Sequence, residues 1–168
     1  MESKTKIFGH AAHQIAVVFP LGLLSTSLIF DLAYKAAKKP QFSQTAFWML
    51  VSGLAGGALA APLGWNDWRY IPEGTRAKSI GRWHGYGNAI VLALFGGSAL
   101  LRRGETRAPS GAALTLSLLG GGLAMAAGWL GGELVDRMRV GIDDGAHLNS
   151  PSSLSGLPAG DAPDDGNV

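Results

Sequence analysis

The stretch Leu114–Leu130, LTLSLLGGGLAMAAGWL, carries no charged residue on any helical face. A soluble helix shows a polar stripe recurring every three to four residues. None runs through this one, and its apolar character extends from Ala112 to Val135. A bilayer core is crossed by roughly 20 mostly apolar residues. Three further segments meet that requirement, over about 12–33, 45–64 and 80–101. The only acid or base well inside any of them is His84, with Asp31 and Glu133 at the ends. Short connections between spans of this length force antiparallel neighbours. The expected fold class is therefore all-α, an integral membrane up-down four-helix bundle.

Composition agrees. Of 168 residues, 47% are apolar and only 15% charged, against about 25% charged in an average soluble domain. The charge sits between the spans: Lys35, Lys38 and Lys39, then Asp67, Arg69, Glu73, Arg76 and Lys78, then Arg102, Arg103, Glu105 and Arg107. Residues 143–168 hold five Asp and no Lys or Arg, so the formal +2 of the chain conceals a net +7 over residues 1–142. That tail of Ser, Pro, Gly and Asp buries too little to offset its ordering entropy and is expected to be disordered. The chain divides into an N-terminal segment (1–9), a transmembrane domain (10–142) and the acidic tail. With no Cys, disulfide scaffolds, zinc ribbons, thiol enzymes and Cys-ligated iron–sulfur centres are excluded. The first span is too long for a signal peptide and is followed by no small-residue cleavage site, so it reads as an uncleaved span.

Small residues recur every four positions: Gly53, Gly57 and Ala61; Gly81, Gly85, Ala89, Ala93 and Gly97; Gly120, Ala124, Gly128 and Gly132. Such stripes let helix backbones approach closely in lipid, for tight packing, a homo-oligomer face or a groove for a flat cofactor. Pro20 frees the carbonyl of Ala16 and should kink the first span near its start.

Up-down topology gathers polar residues at one membrane face. His10 and His13 open the first span there and Asp67 follows the second. His84 opens the third, with Asn88 one turn deeper, and Glu133 closes the fourth. Imidazoles with carboxylates make a ligand set for a divalent metal, here His10, His13, Asp67, His84 and Glu133. Two His from different helices, His13 and His84 with Asn88 beside them, could instead hold haem b axially. Plainer readings exist for the neighbours. Trp65, Trp68 and Trp83 suit an interfacial aromatic belt, Asp31 and Lys35 a surface i,i+4 pair, and Arg76, Lys78 and Arg82 lipid headgroup contacts. No phosphate loop, nucleophile elbow or dinucleotide fingerprint occurs, and no nucleic-acid module surrounds the basic loops.

Four blocks resemble a bacterial family of small four-helix membrane proteins of unknown function, some fused to a Rieske-type iron–sulfur domain. They are His10, His13, Phe19, Pro20, Gly22 and Asp31; Gly64, Asp67, Trp68, Ile71, Pro72, Thr75, Arg76 and Ala77; Gly81, His84, Gly85 and Asn88; and Gly128–Leu134 with Gly141. Ala11 and Gln14 stand where that family usually has proline. The resemblance implies membrane redox chemistry beside an iron–sulfur partner. A bacterial inner-membrane location follows, and eight Lys or Arg on the clustered face against six opposite favour cytoplasmic termini. The leading expectation is a redox-associated subunit. The alternatives are a non-catalytic bundle binding a partner protein or lipid and, more weakly, a small permease. Enzymatic activity is left open.

Overall fold

The computed structural model describes residues 1–102 and 104–161. The chain opens with a two-stranded antiparallel ribbon, β1 (Lys6–Ile7) against β2 (His10–Ala11), with Lys6 opposite Ala11 and Ile7 opposite His10. Phe8 and Gly9 both take positive φ at its tip, 50° and 82°, the twist that a two-residue hairpin turn requires. Five helices follow: α1 (Ala12–Ala16), α2 (Val18–Ala37), α3 (Pro40–Arg69), α4 (Arg76–Leu100) and α5 (Gly111–Gly132), with a π-helical turn at Glu133–Arg137. The break between α1 and α2 at Val17 lies one turn before Pro20, whose missing N–H leaves the Ala16 carbonyl without its helical donor.

Local chemistry sets the other ends. Lys38 adopts left-handed φ 57° and its N–H returns to the Tyr34 carbonyl, closing α2. Pro40 then opens α3 at its first position, where a missing N–H costs nothing. Thr75 caps α4, its hydroxyl accepting from Lys78 N at 3.1 Å. Ser110 caps α5 in the same way, accepting from Ala113 N at 3.2 Å.

The long helices form two hairpins: α2 packs chiefly on α3, and α4 chiefly on α5. Between them lies a core of Leu24, Leu50, Val91 and Phe95. Glycines make the approach possible. A Cβ at Gly53 would lie 2.8 Å from Leu24, and one at Gly120 2.9 Å from Phe95. The outer surface is apolar too: Val18, Phe19, Ile29, Leu59 and Met125 are all more than 60% exposed. So much bare hydrocarbon suits lipid rather than water.

Three helical segments are long and apolar enough to cross a membrane: Ala12–Ala37, Pro40–Arg69 and Gly111–Arg137. The expected third span is the exception. Helix α4 has the length, but Arg76, Lys78, Arg82, His84 and Asn88 crowd its first half. Helix α3 runs past the expected limits at both ends, α2 at its end and α4 at its start, because polar residues continue them beyond the hydrocarbon boundary. At about 1.5 Å per residue, α3 measures roughly 45 Å against a core near 30 Å.

The termini differ from expectation. Residues 143–161 form turns laid against the N-terminal segment, and residues 162–168, with Asp164 and Asp165, lie outside the described residues, as does Arg103. Short-range pairing supplies what the stretch lacks in apolar surface. Lys6 Nζ meets Asp143 at 2.7 Å and Glu2 at 2.9 Å. Asp144 N donates to Glu2 Oε1 at 3.1 Å, and Gly141 N to the Met1 carbonyl at 2.8 Å.

Candidate functional site

His13 on α1 and His84 on α4 meet between the hairpins, their ring centroids 6.4 Å apart and their planes at 89°. Each ring is fixed in the same manner. His13 Nδ1 lies 3.0 Å from the Ala60 carbonyl, and His84 Nδ1 lies 2.8 Å from the Ala127 carbonyl. A carbonyl only accepts, so both Nδ1 atoms carry the proton and both Nε2 atoms keep the free lone pair. Four residues beyond each carbonyl stands a glycine. A Cβ at Gly64 would come 2.7 Å from His13 Cε1, and one at Gly131 3.0 Å from His84 Cε1. Gly64 and Gly131 are thus the space in which the imidazoles sit. Asn88 Nδ2 donates to the His84 carbonyl at 2.9 Å and stands 3.2 Å from His84 Nε2.

The other expected ligands are elsewhere. His10 was expected to open the first span with His13, but the helix begins only at Ala12; His10 lies on β2, its Nε2 3.4 Å from Ser153 Oγ. Asp67 binds the N-terminal segment, accepting from Ser3 Oγ at 2.8 Å and Lys4 N at 2.7 Å. Glu133 pairs with Arg76 at 2.8 Å. Among the described residues, no group of three or more His, Asp or Glu is placed to hold a metal ion.

Three of the plainer readings change as well. Lys78 is buried rather than in the headgroups. Its Nζ donates to the carbonyls of Trp68, Arg69 and Ile71 at 3.1–3.3 Å and caps the end of α3. Arg76 is committed to Glu133. Trp65 and Trp83 are exposed as belt residues should be, whereas Trp68 turns inward, its Nε1 donating to the Lys78 carbonyl at 3.1 Å.

At the opposite end, Asp31 is fully buried and does not serve a surface pair with Lys35. Arg102 grips it bidentately, Nη1 to Oδ1 at 2.6 Å and Nη2 to Oδ2 at 2.5 Å. Ser98 and Ser117 flank the guanidinium and hydrogen-bond each other at 2.8 Å. Sequence reasoning missed this cluster, since Arg102 sits where a loop charge reads as solvated.

Two apolar hairpins with bare hydrocarbon outside and polar pairs sealed within define an integral membrane protein of helical type. The chain belongs to the family of predicted membrane proteins designated DUF2231, whose pattern matches residues 9–144. No curated protein and no solved structure matches it.

Proposed function

We propose that the protein is a haem-binding, electron-transferring membrane subunit in which His13 and His84 would hold the haem. The observation that carries this reading is the pair of facing imidazoles, each with its Nδ1–H held on a backbone carbonyl. Ligand histidines are almost always fixed through the second ring nitrogen in this way.

The donor set discriminates among metals. Zinc sites use at least three protein ligands, and only two gather here. Haem iron takes four nitrogens from its macrocycle and needs only axial imidazoles from the chain. The His13 and His84 ring centroids lie 6.4 Å apart, close enough for both imidazoles to serve one group. Bound haem supplies one-electron transfer. The chain's own part is to hold the Nδ1 protons on the Ala60 and Ala127 carbonyls, which fixes the orientation of both rings.

The wider setting belongs to the same proposal: all four long helices span a bacterial inner membrane up and down, with termini and His pair on the cytoplasmic side. An iron–sulfur protein then meets that face. A second reading, a non-catalytic bundle serving a partner protein or lipid, draws support from Asp67 and Glu133, whose carboxylates are occupied by internal bonds.

Absorption spectra of the detergent-purified protein, oxidised and dithionite-reduced, test the choice. A Soret band near one haem per chain, lost in His84→Ala without loss of membrane insertion, is expected. Absence of haem from protein purified out of its native membrane overturns the redox reading and leaves the binding bundle.

A further inference from the structure

The two hairpins repeat each other at spaced positions along their helices. Positions in α1–α2 recur 71 residues later in α4 and just past its end: His13 with His84, Leu24 with Phe95, Ser27 with Ser98, and Asp31 with Arg102. Positions in α3 recur 67 residues later in α5: Gly53 with Gly120, Ala60 with Ala127, Gly64 with Gly131. Their environments repeat as well. Leu24 presses on Gly53 as Phe95 presses on Gly120. His13 bonds Ala60 as His84 bonds Ala127. Leu24, Ser27 and Asp31 are all buried, and so are Phe95, Ser98 and Arg102. Helices α2 and α4 are separated by the one helix α3, which reverses the chain twice, and so run the same way. This is the relation of parallel repeats about an axis along the membrane normal.

On such an axis a residue faces its own equivalent. Two pairs do so: His13 with His84 at one end, Asp31 with Arg102 at the other. The first pair is alike. The second is opposite in charge, fully buried, and unlike every other correspondence named here.

We propose that residues 12–69 and 83–137 are two copies of one helical hairpin, and that Asp31–Arg102 is the lock that makes each copy pair with the other kind. Two first hairpins from separate chains would set Asp31 against Asp31, and two second hairpins Arg102 against Arg102. Either arrangement buries like charges where water cannot screen them. Opposite charges at one symmetric position therefore exclude pairing of like halves between chains and favour the single-chain arrangement. Buried polar pairs are best attested in this role of setting partner and register. The lock does not depend on haem.

Charge exchange tests the equivalence. D31R and R102D alone should each lower the unfolding temperature in detergent, while D31R/R102D recovers most of the loss because the two positions are interchangeable. A double variant no better than the worse single one overturns the proposal. The neutral variant D31N/R102Q tests the selection. It should show a larger dimer fraction than the natural chain by light scattering in detergent, since like halves are no longer forbidden. An ion pair that only stabilises would lower the unfolding temperature and leave the size distribution unchanged, and that result overturns the lock.

Discussion

Gly64 faces the imidazole of His13 so closely that a Cβ there would lie 2.7 Å from Cε1 and 2.9 Å from both ring nitrogens. No real side chain tolerates that approach, so Gly64→Ala must displace His13 from the Ala60 carbonyl. The expected cost is about 1–3 kcal/mol, the usual penalty for forcing an extra methyl into packed surroundings. Gly85→Ala and Gly128→Ala are the controls, since nothing lies within 4 Å of a Cβ at either position. Both should be neutral or slightly stabilising, because Ala is the better helix former. Thermal unfolding in detergent separates the three, and equal behaviour of Gly64→Ala and Gly128→Ala would sink the cradle account.

Asp67 anchors the N-terminal segment through its carboxylate. Asp67→Asn keeps the shape but removes the charge from two short hydrogen bonds, to Ser3 Oγ and Lys4 N. A loss of about 1–3 kcal/mol is expected from weakening bonds to a buried carboxylate. Faster proteolysis within residues 1–6 should accompany it, with His13 and His84 undisturbed. If metal or haem content falls while the N-terminus stays protected, Asp67 belongs to the ligand set after all.

The comparison of sequence with structure turns on where partners come from. The fourth span was legible because Leu114–Leu130 is apolar on every face, which no soluble packing demands, and the first two by their long apolar runs. The approach of His13 to His84 was legible from topology, each opening a helix at one face. Partners drawn from unpatterned segments were not. Ser3 and Lys4 reach Asp67 from a stretch without periodicity, and Arg76 takes Glu133 across 57 residues. Arg102 looked solvated because a single position at a span's end gives no sign of burial. Its equal spacing from His84, matching Asp31 from His13, was the one available signal.

The strap formed by the two termini depends on pH through Glu2 and Lys6. Hydrogen bonds from Lys6 and the Asp144 N–H hold the Glu2 carboxyl below its ordinary 4.5. A depressed carboxylate contributes stability present above that value and lost as pH falls through its folded pKa. Hydrogen bonds to Asp143 and Glu2 hold the Lys6 ammonium above its ordinary 10.5. That contribution is complete below 10.5 and lost as pH rises through the raised value. The strap is therefore expected to stay closed across neutral pH and to open below about 4.5. Amide exchange protection at Gly141 and Asp144 should drop in acid, and in Lys6→Ala at neutral pH. Protection unchanged in Lys6→Ala would show that the strap is held by something else.

Lys78 does a different job from the cations around it. Its Nζ satisfies three terminal carbonyls of α3 and the following turn and lies 4.2 Å from the centroid of the Trp68 ring, while Glu73 pairs with it at 3.1 Å from the solvent side. The Trp68 carbonyl also accepts from Ile71 N at 3.1 Å, whereas the Arg69 and Ile71 carbonyls lie past the last helical donor. Lys78→Met keeps most of the side-chain volume and removes all three bonds, which leaves buried acceptors unpaired. Each such group costs about 1–3 kcal/mol, so the variant should unfold well below the natural chain. Arg82→Met, one turn further along α4 and exposed, is expected to change stability by less than about 0.5 kcal/mol. The contrast is specific to the capping geometry: if lipid headgroups were the true partners of both cations, the two substitutions would weaken membrane association alike and neither would unfold the helix end.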